Sequence, residues 1–157
     1  MKQHTPIPLE RFAGLLPHSG TVLVSDASCP DARFPDKAEY HGLGGWSNNF
    51  AWQWSKSDID QLALSVGYKG IRHWKIAAYE LLALYITEMM ASDDLRDSFT
   101  VQLCDNTNCI AWVNKARCKF QPLHILIRGI QTRRKHFNYN IATKYIPSVA
   151  NHTADFL

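Results

Sequence analysis

The sequence predicts an α/β domain built on a mixed five-stranded sheet of order 3-2-1-4-5, flanked by helices. Three observations lead there. Short β-prone runs separated by turn residues fall in the first third, the pattern of an antiparallel meander. A long stretch with helical period follows them. Two further short apolar runs are then reached through helices, so they join the sheet parallel to the first strand by right-handed crossovers.

Taken in order, TVLVSDAS opens with the β-formers Val22, Leu23 and Val24, giving a first strand near 21–26. CPDARFPDKAEYH, rich in Pro, Asp and charge, is a loop. HGLGGWSNN and FAWQWS give strands near 42–47 and 50–55, with SNN as the turn. Gly42, Gly44 and Gly45 allow a bulge or a close backbone approach in the second strand. In HWKIAAYELLALYITEMMA, Trp74, Ala77, Ala78, Leu81, Leu82, Tyr85 and Met89 recur at helical spacing. SFTVQLCD alternates through Phe99, Val101 and Leu103 and ends on Asp105, a fourth strand. NTNCIAWVNKA is a short helix with Asn106 or Thr107 as its N-cap, and PLHILIRGIQTRRKH is a second, with Pro122 near its start. NIATKYIP is the last strand, and ANHTADFL begins a final helix. Trp46, Trp52 and Trp54 are assigned to the core. Trp112 either packs in the core or faces a substrate.

The 157 residues suit one domain with a single core. Residues 1–20, interrupted by Pro6, Pro8 and Pro17, lack the apolar centre of a signal peptide and read as an extended leader. The domain itself spans 21–157. No apolar run approaches the roughly 18 residues that cross a bilayer, so no membrane partner is expected. Cys29, Cys104, Cys109 and Cys118 form no CxxC pattern and read as reduced thiols of an intracellular protein, cytoplasmic or nuclear. A zinc site on Cys104, Cys109 and a histidine matches no standard spacing.

Charge is distributed unevenly. Residues 1–105 hold 9 Lys/Arg and 13 Asp/Glu, whereas residues 106–157 hold 8 Lys/Arg and one acid, Asp155. A basic third of that kind suits a polyanionic partner such as nucleic acid. The candidate phosphate contacts are Arg133, Arg134 and Lys135, with Lys115, Arg117 and Lys119.

Four acids stand out against this background. Asp26 and Asp105 fall at the ends of the first and fourth strands, where functional groups gather in parallel sheets. Glu80 lies mid-helix in AAYELLAL, and Asp155 opens the last helix. Each alone has a plainer reading: a turn-forming Asp for Asp26 or Asp105, a polar stripe with His73, Thr87 and Glu88 for Glu80, a dipole-favoured acid for Asp155. Together they sit on elements able to converge, and converging carboxylates repel unless a cation neutralises them. Oxygen-only ligands suit Mg²⁺ or Mn²⁺.

With VSDAS, GLGGW, YELLAL, LCDNTNCIAWVNK and YIPSVANHTADFL in this order over residues 21–157, the chain resembles the ribonuclease H domains of retroelement reverse transcriptases, most closely the DIRS-type and gypsy-like branches. The resemblance implies a ribonuclease H-like fold and a two-ion Mg²⁺ (or Mn²⁺) site on Asp26, Glu80, Asp105 and Asp155. In it Asp26 bridges both ions, Glu80 and Asp105 hold one, and Asp155 helps hold the other near the attacking water. The implied reaction is hydrolysis of the RNA strand of an RNA–DNA hybrid to 3′-hydroxyl and 5′-phosphate ends. The implied partners are the hybrid and flanking reverse transcriptase segments of a polyprotein. Ala77 stands where relatives often carry a nucleic-acid-contacting Asn, a role Asn106 and Asn108 could share. The His-bearing loop of cellular and retroviral relatives is not evident in IPSVAN, and His152 reads as a surface or capping residue. The link CPDARFPDKAEYH is longer than usual, and the stop at Leu157 is read as a domain cut from a larger polyprotein. Two competing readings keep the same fold: a catalytically weak or inactive module for nucleic-acid binding or polyprotein assembly, and a DNA-cleaving transposase or resolvase relative.

Overall fold

Alternation of apolar and small residues, together with the turn chemistry between runs, produces the five strands, and one strongly apolar helix covers them. The computed structural model describes residues 22–28, 42–67, 70–71 and 74–147. In chain order they form β1 (Val22–Ser28), β2 (Gly42–Trp46), β3 (Ala51–Ser55), α1 (Lys56–Ser65), α2 (Ile76–Ala91), β4 (Phe99–Cys104), α3 (Thr107–Lys115), α4 (Gln121–Phe137) and β5 (Asn140–Tyr145). The expected leader over 1–20, the loop over 29–41 and the expected final helix lie outside the described residues.

The sheet order is β3-β2-β1-β4-β5. β1–β2 and β2–β3 pair antiparallel, and β1–β4 and β4–β5 pair parallel, as the sequence predicts. β1 runs further than its sequence pattern suggests. Its pairing with β4 stops at Val24↔Leu103, but pairing with β2 continues through Asp26↔Gly44 to Ser28↔Gly42. Asp26 therefore lies inside β1, just past the point where its parallel neighbour leaves, rather than at the strand's end.

Helix α1 is absent from the sequence reading. KSDIDQLALS carries a weak apolar stripe, and only Ile59 and Ala63 are buried on it. Its start has a local cause: Ser55 and Asp58 form a capping box, the Asp58 carboxylate accepting from the Ser55 backbone N–H at 2.8 Å.

Helix α2 is buried over most of its circumference, from Ala78 through Leu84 and again at Thr87, Glu88 and Ala91. A helix apolar on nearly every side must lie between layers. α2 packs against β1 and β2 on one side and α3 and α4 on the other. Two glycines let it fit. A Cβ on Gly45 would meet Thr87 Oγ1 at 2.2 Å and Trp52 Nε1 at 2.6 Å, so no side chain can stand there. In that space the Trp52 indole N–H donates to Thr87 Oγ1 at 2.8 Å, and the Thr87 hydroxyl donates to the Ala83 carbonyl. A Cβ on Gly129 would lie 2.9 Å from Tyr85 Cε2, which shows how closely α4 approaches α2. Trp52 is buried as expected, while Trp46, Trp54 and Trp112 are half-buried.

Gly45→Ala forces α2 off the sheet or breaks the Trp52–Thr87 hydrogen bond, and a loss of about 1–3 kcal/mol is expected by urea denaturation. Gly42→Ala, whose Cβ would meet nothing nearer than 3.2 Å, is expected to lose less.

Candidate active site

Three elements deliver three carboxyl groups to one point. β1 supplies Asp26, α2 supplies Glu80, and Asp105 follows the last residue of β4 directly. One oxygen from each can be chosen so that all lie within 4.8 Å of one another. Asp26 is 8% exposed and Glu80 2%, while Asp105 is half-buried.

Asp105 is held where the chain turns from strand to helix. Asn106 is the N-cap of α3, its side-chain oxygen accepting from the Cys109 backbone N–H at 3.0 Å. The α3 amino terminus thus begins beside Asp105, and its dipole favours a carboxylate there. Asn108, in the first turn, is exposed.

Glu80 bears a heavy electrostatic cost. Burial, followed by the charges of Asp26 and then Asp105, pushes its carboxyl well above the usual carboxylate range. It shares a side-chain hydrogen bond with Asp26, and its buried Oε2 has no hydrogen-bond partner among the described residues. An oxygen-only donor set, mutual repulsion and a buried carboxylate oxygen left over are what a hard divalent cation satisfies. These residues fit Mg²⁺ or Mn²⁺. Cys104 and Cys109 are fully buried, and the Cys104 thiol donates to the Asn106 carbonyl at 3.8 Å. Among the described residues the only group with metal-binding geometry is the carboxylate trio, and neither cysteine belongs to it. Asp155, the fourth candidate ligand, lies outside the described residues.

The basic candidates divide into two sets. The Arg134 guanidinium grips Glu88 of α2 with two bonds, Nε to Oε2 at 3.1 Å and Nη2 to Oε1 at 2.8 Å. Glu88 is 0% exposed and also accepts from the Tyr139 hydroxyl at 2.8 Å. Arg133 lies over the Phe137 ring at 4.9 Å and donates to Ser92 Oγ. Both arginines are half-buried, and Lys135 is exposed. The sequence run RRK is therefore not one solvated patch: its arginines tie α4 to α2 and to the residues after it. Lys115, Arg117 and Lys119 are exposed where α3 ends and α4 begins. Phe120, which the sequence reading passes over, lies beside them; the signal for it is an aromatic between Lys119 and the Pro122 helix start.

Removing the Arg134 side chain leaves a buried carboxylate with only the Tyr139 hydroxyl. Arg134→Ala is expected to cost about 3–5 kcal/mol in denaturant unfolding, whereas Lys135→Ala should change stability little.

Glu80 makes metal-free stability depend on pH in a definite direction. Its folded pKa stands above the ordinary value of 4.5, so between the two values the folded protein holds more protons than the unfolded chain. That contribution is fully present below the ordinary value and is lost as pH rises through the folded one. Thermal melts in EDTA should show the protein losing stability with rising pH across this interval. Glu80→Gln should flatten the trend, and Mg²⁺ should restore stability to the wild type at neutral pH.

No protein-family model matches the chain, and no curated protein matches it in sequence. Among solved structures, the ribonuclease H1 of the halophilic archaeon Halobacterium salinarum NRC-1 aligns with 87% of this chain and 92% of its own, at 13% identity and a TM-score of 0.56. LC11-RNase H1, isolated from compost by a metagenomic approach, aligns with 87% of this chain and 90% of its own, at 14% identity and a TM-score of 0.48. The sheet order, the helices around it and the archaeal structure agree: the chain has the ribonuclease H-like fold.

Proposed function

We propose that the chain is a metal-dependent endonuclease that hydrolyses the RNA strand of RNA–DNA hybrids, as the ribonuclease H domain of a retroelement reverse transcriptase. The observation that carries this reading is the convergence of Asp26, Glu80 and Asp105 within 4.8 Å, with Glu80 buried and short of a partner. A carboxylate cluster so costly is hard to account for as packing. Fold alone does not fix activity, so the acids and not the archaeal neighbour support the chemistry. The retroelement context rests on LCDNTNCIAWVNK and YIPSVANHTADFL.

Asp26, Glu80 and Asp105, with Asp155 as the fourth ligand, would hold two Mg²⁺ or Mn²⁺ ions. Bound there, such ions activate a water and stabilise the departing oxygen of a phosphodiester. The protein contributes placement. β1 and β4 fix the two aspartates on a rigid sheet, α2 presses Glu80 against them, and the Asn106 cap holds the strand-to-helix turn that carries Asp105. Burial keeps Glu80 dry, which strengthens every charge interaction at the site. Lys115, Arg117, Lys119 and Lys135 serve the hybrid's phosphates, with Asn106 and Asn108 near the site. Hybrid is recognised through shape and 2′-hydroxyl contacts rather than base sequence. Flanking polymerase segments of the same polyprotein are the expected partners.

With a labelled RNA–DNA hybrid, Mg²⁺ or Mn²⁺ should give cleavage of the RNA strand, and EDTA should stop it. Asp105→Asn is expected to lower the rate about 100-fold or more, since even groups that merely orient metal ligands are worth roughly 10–100-fold. Equal inertness of wild type and variant, with salt-sensitive hybrid binding intact, would instead identify a non-catalytic module. Cutting of pure DNA would identify a transposase or resolvase relative.

A further inference from the structure

Where α3 ends and α4 begins, the chain forms a groove of about 630 Å³ lined by Trp112, Lys115, Arg117, Cys118, Lys119 and Phe120. Its size falls in the range of about 300–1,000 Å³ typical of ligand sites. We propose that this groove binds an unpaired nucleic-acid strand, the single-stranded extension of a hybrid seated at the carboxylates. The proposal rests on the nuclease reading for the hybrid, but the groove's affinity for an unpaired strand does not depend on catalysis.

Charge selects a polyanion. Lys115, Arg117 and Lys119 are all exposed, none of the lining residues is acidic, and no Asp or Glu occurs between residues 106 and 154. Cations alone, however, would take a duplex as readily as a single strand. The aromatic residues discriminate. Phe120 is 41% exposed and lies in the groove among the three cations. Paired bases inside a hybrid are stacked on one another, showing their edges in the grooves but no open face to a side-chain ring. Unpaired bases have open faces that stack on aromatic side chains in a sequence-tolerant way.

The groove is also built in advance. Phe120 meets Trp74 edge-on, with ring centroids 6.0 Å apart at 82°, which holds the ring in place. Trp112 is half-buried against the α2–α3–α4 core, so its ring too is fixed. Ala116 ends α3 in a left-handed conformation, φ 58°, and turns the chain into the Arg117–Phe120 segment. The Cys118 thiol hydrogen-bonds the Phe120 carbonyl at 3.3 Å, and the His124 ring bonds the Cys118 carbonyl, tying that segment to α4. Rings and cations held in place by the fold lose little freedom on binding. Position fits the same occupant. α3 begins right after Asp105 and has 9 residues, so about 13 Å of helix separates its two ends. A strand leaving a hybrid at the carboxylates has only that distance to cover.

The test is fluorescence anisotropy in EDTA, with the full chain and two labelled substrates of equal hybrid length: one blunt, one carrying a single-stranded extension, in separate DNA and RNA arms. The extended hybrid should bind roughly tenfold more tightly, within what one aromatic stacking face contributes, and the arm with the larger gain identifies the strand. Phe120→Ala should bring the extended-to-blunt ratio toward one, and Phe120→Tyr, which keeps a ring, should retain it. Lys119→Gln leaves the rings untouched and should reduce the salt dependence of single-strand binding by about 0.7 in log–log slope. Equal affinity for blunt and extended hybrids in both arms overturns the proposal. Displacement of the single strand by polyglutamate as effectively as by oligonucleotide also overturns it, since the groove would then be a general polyanion surface. A preference for the extended hybrid in a protein that cleaves nothing would sink the nuclease reading and leave this one standing.

Discussion

How closely α2 approaches β1 and β2 decides whether Glu80 can share a point with Asp26, and the site depends on that spacing. A strand position without a side chain sets it. At Gly45 the sheet presents bare backbone to α2, and the Trp52–Thr87 hydrogen bond occupies the space a Cβ would need. Closely packed interiors do not deform gradually, so a helix lifted at Thr87 would shift as a rigid rod and carry Glu80 with it. The metal-binding geometry is in this sense a property of sheet–helix packing as much as of the acids.

The same helix carries a control for the site. Glu80 and Glu88 are both buried, 2% and 0% exposed, on one α-helix. Eight residues of α-helix put them about 12 Å apart. Glu88 has the partners that make a buried carboxylate tolerable, a bidentate guanidinium from Arg134 and the Tyr139 hydroxyl. Glu80 instead faces two more carboxyl groups, and its Oε2 finds no hydrogen-bond partner among the described residues. Removing a positive partner from a buried acid is strongly destabilising, so an acid with no positive partner among the described residues calls for an explanation other than stability. Comparing the two glutamates separates a matched buried ion pair from a cluster of carboxylates within a single element.

Much of this was legible in the chain before the fold. The run of β-formers in TVLVSDAS, the alternation in SFTVQLCD and the helical period of YELLALYITEMMA placed β1, β4 and α2, and with them Asp26, Asp105 and Glu80. Topology followed from order, because strands reached through helices add in parallel. What stayed hidden has physical reasons. α1 buries only two residues, so its period is weak, and its capping box is a local signal too small to announce a helix. β1 extends beyond its apolar run because β2 continues to pair with it, a long-range effect no local pattern records. Glu88 and Arg134 are 46 positions apart; in sequence one reads as a polar stripe and the other as part of a basic run.

That last misreading bears on how the basic third of the chain works. A count of cations treats Arg133, Arg134 and Lys135 as equivalent to Lys115, Arg117 and Lys119. In the fold, the Arg134 charge is matched by Glu88 and the Arg133 guanidinium rests on Phe137, so the first group's contribution to a polyanion's approach is largely Lys135. The second group stands exposed at the far end of α3, the helix that begins beside Asp105. A negatively charged site would by itself repel a nucleic-acid strand, and bound cations would reverse that only within about one screening length, roughly 8 Å at physiological ionic strength. On the nuclease reading proposed above, attraction at longer range has to come from fixed positive groups set off from the acids, close enough to share one substrate and far enough not to neutralise the carboxylates. A helix of about two and a half turns, α3, with acid at its start and base at its end, meets both conditions.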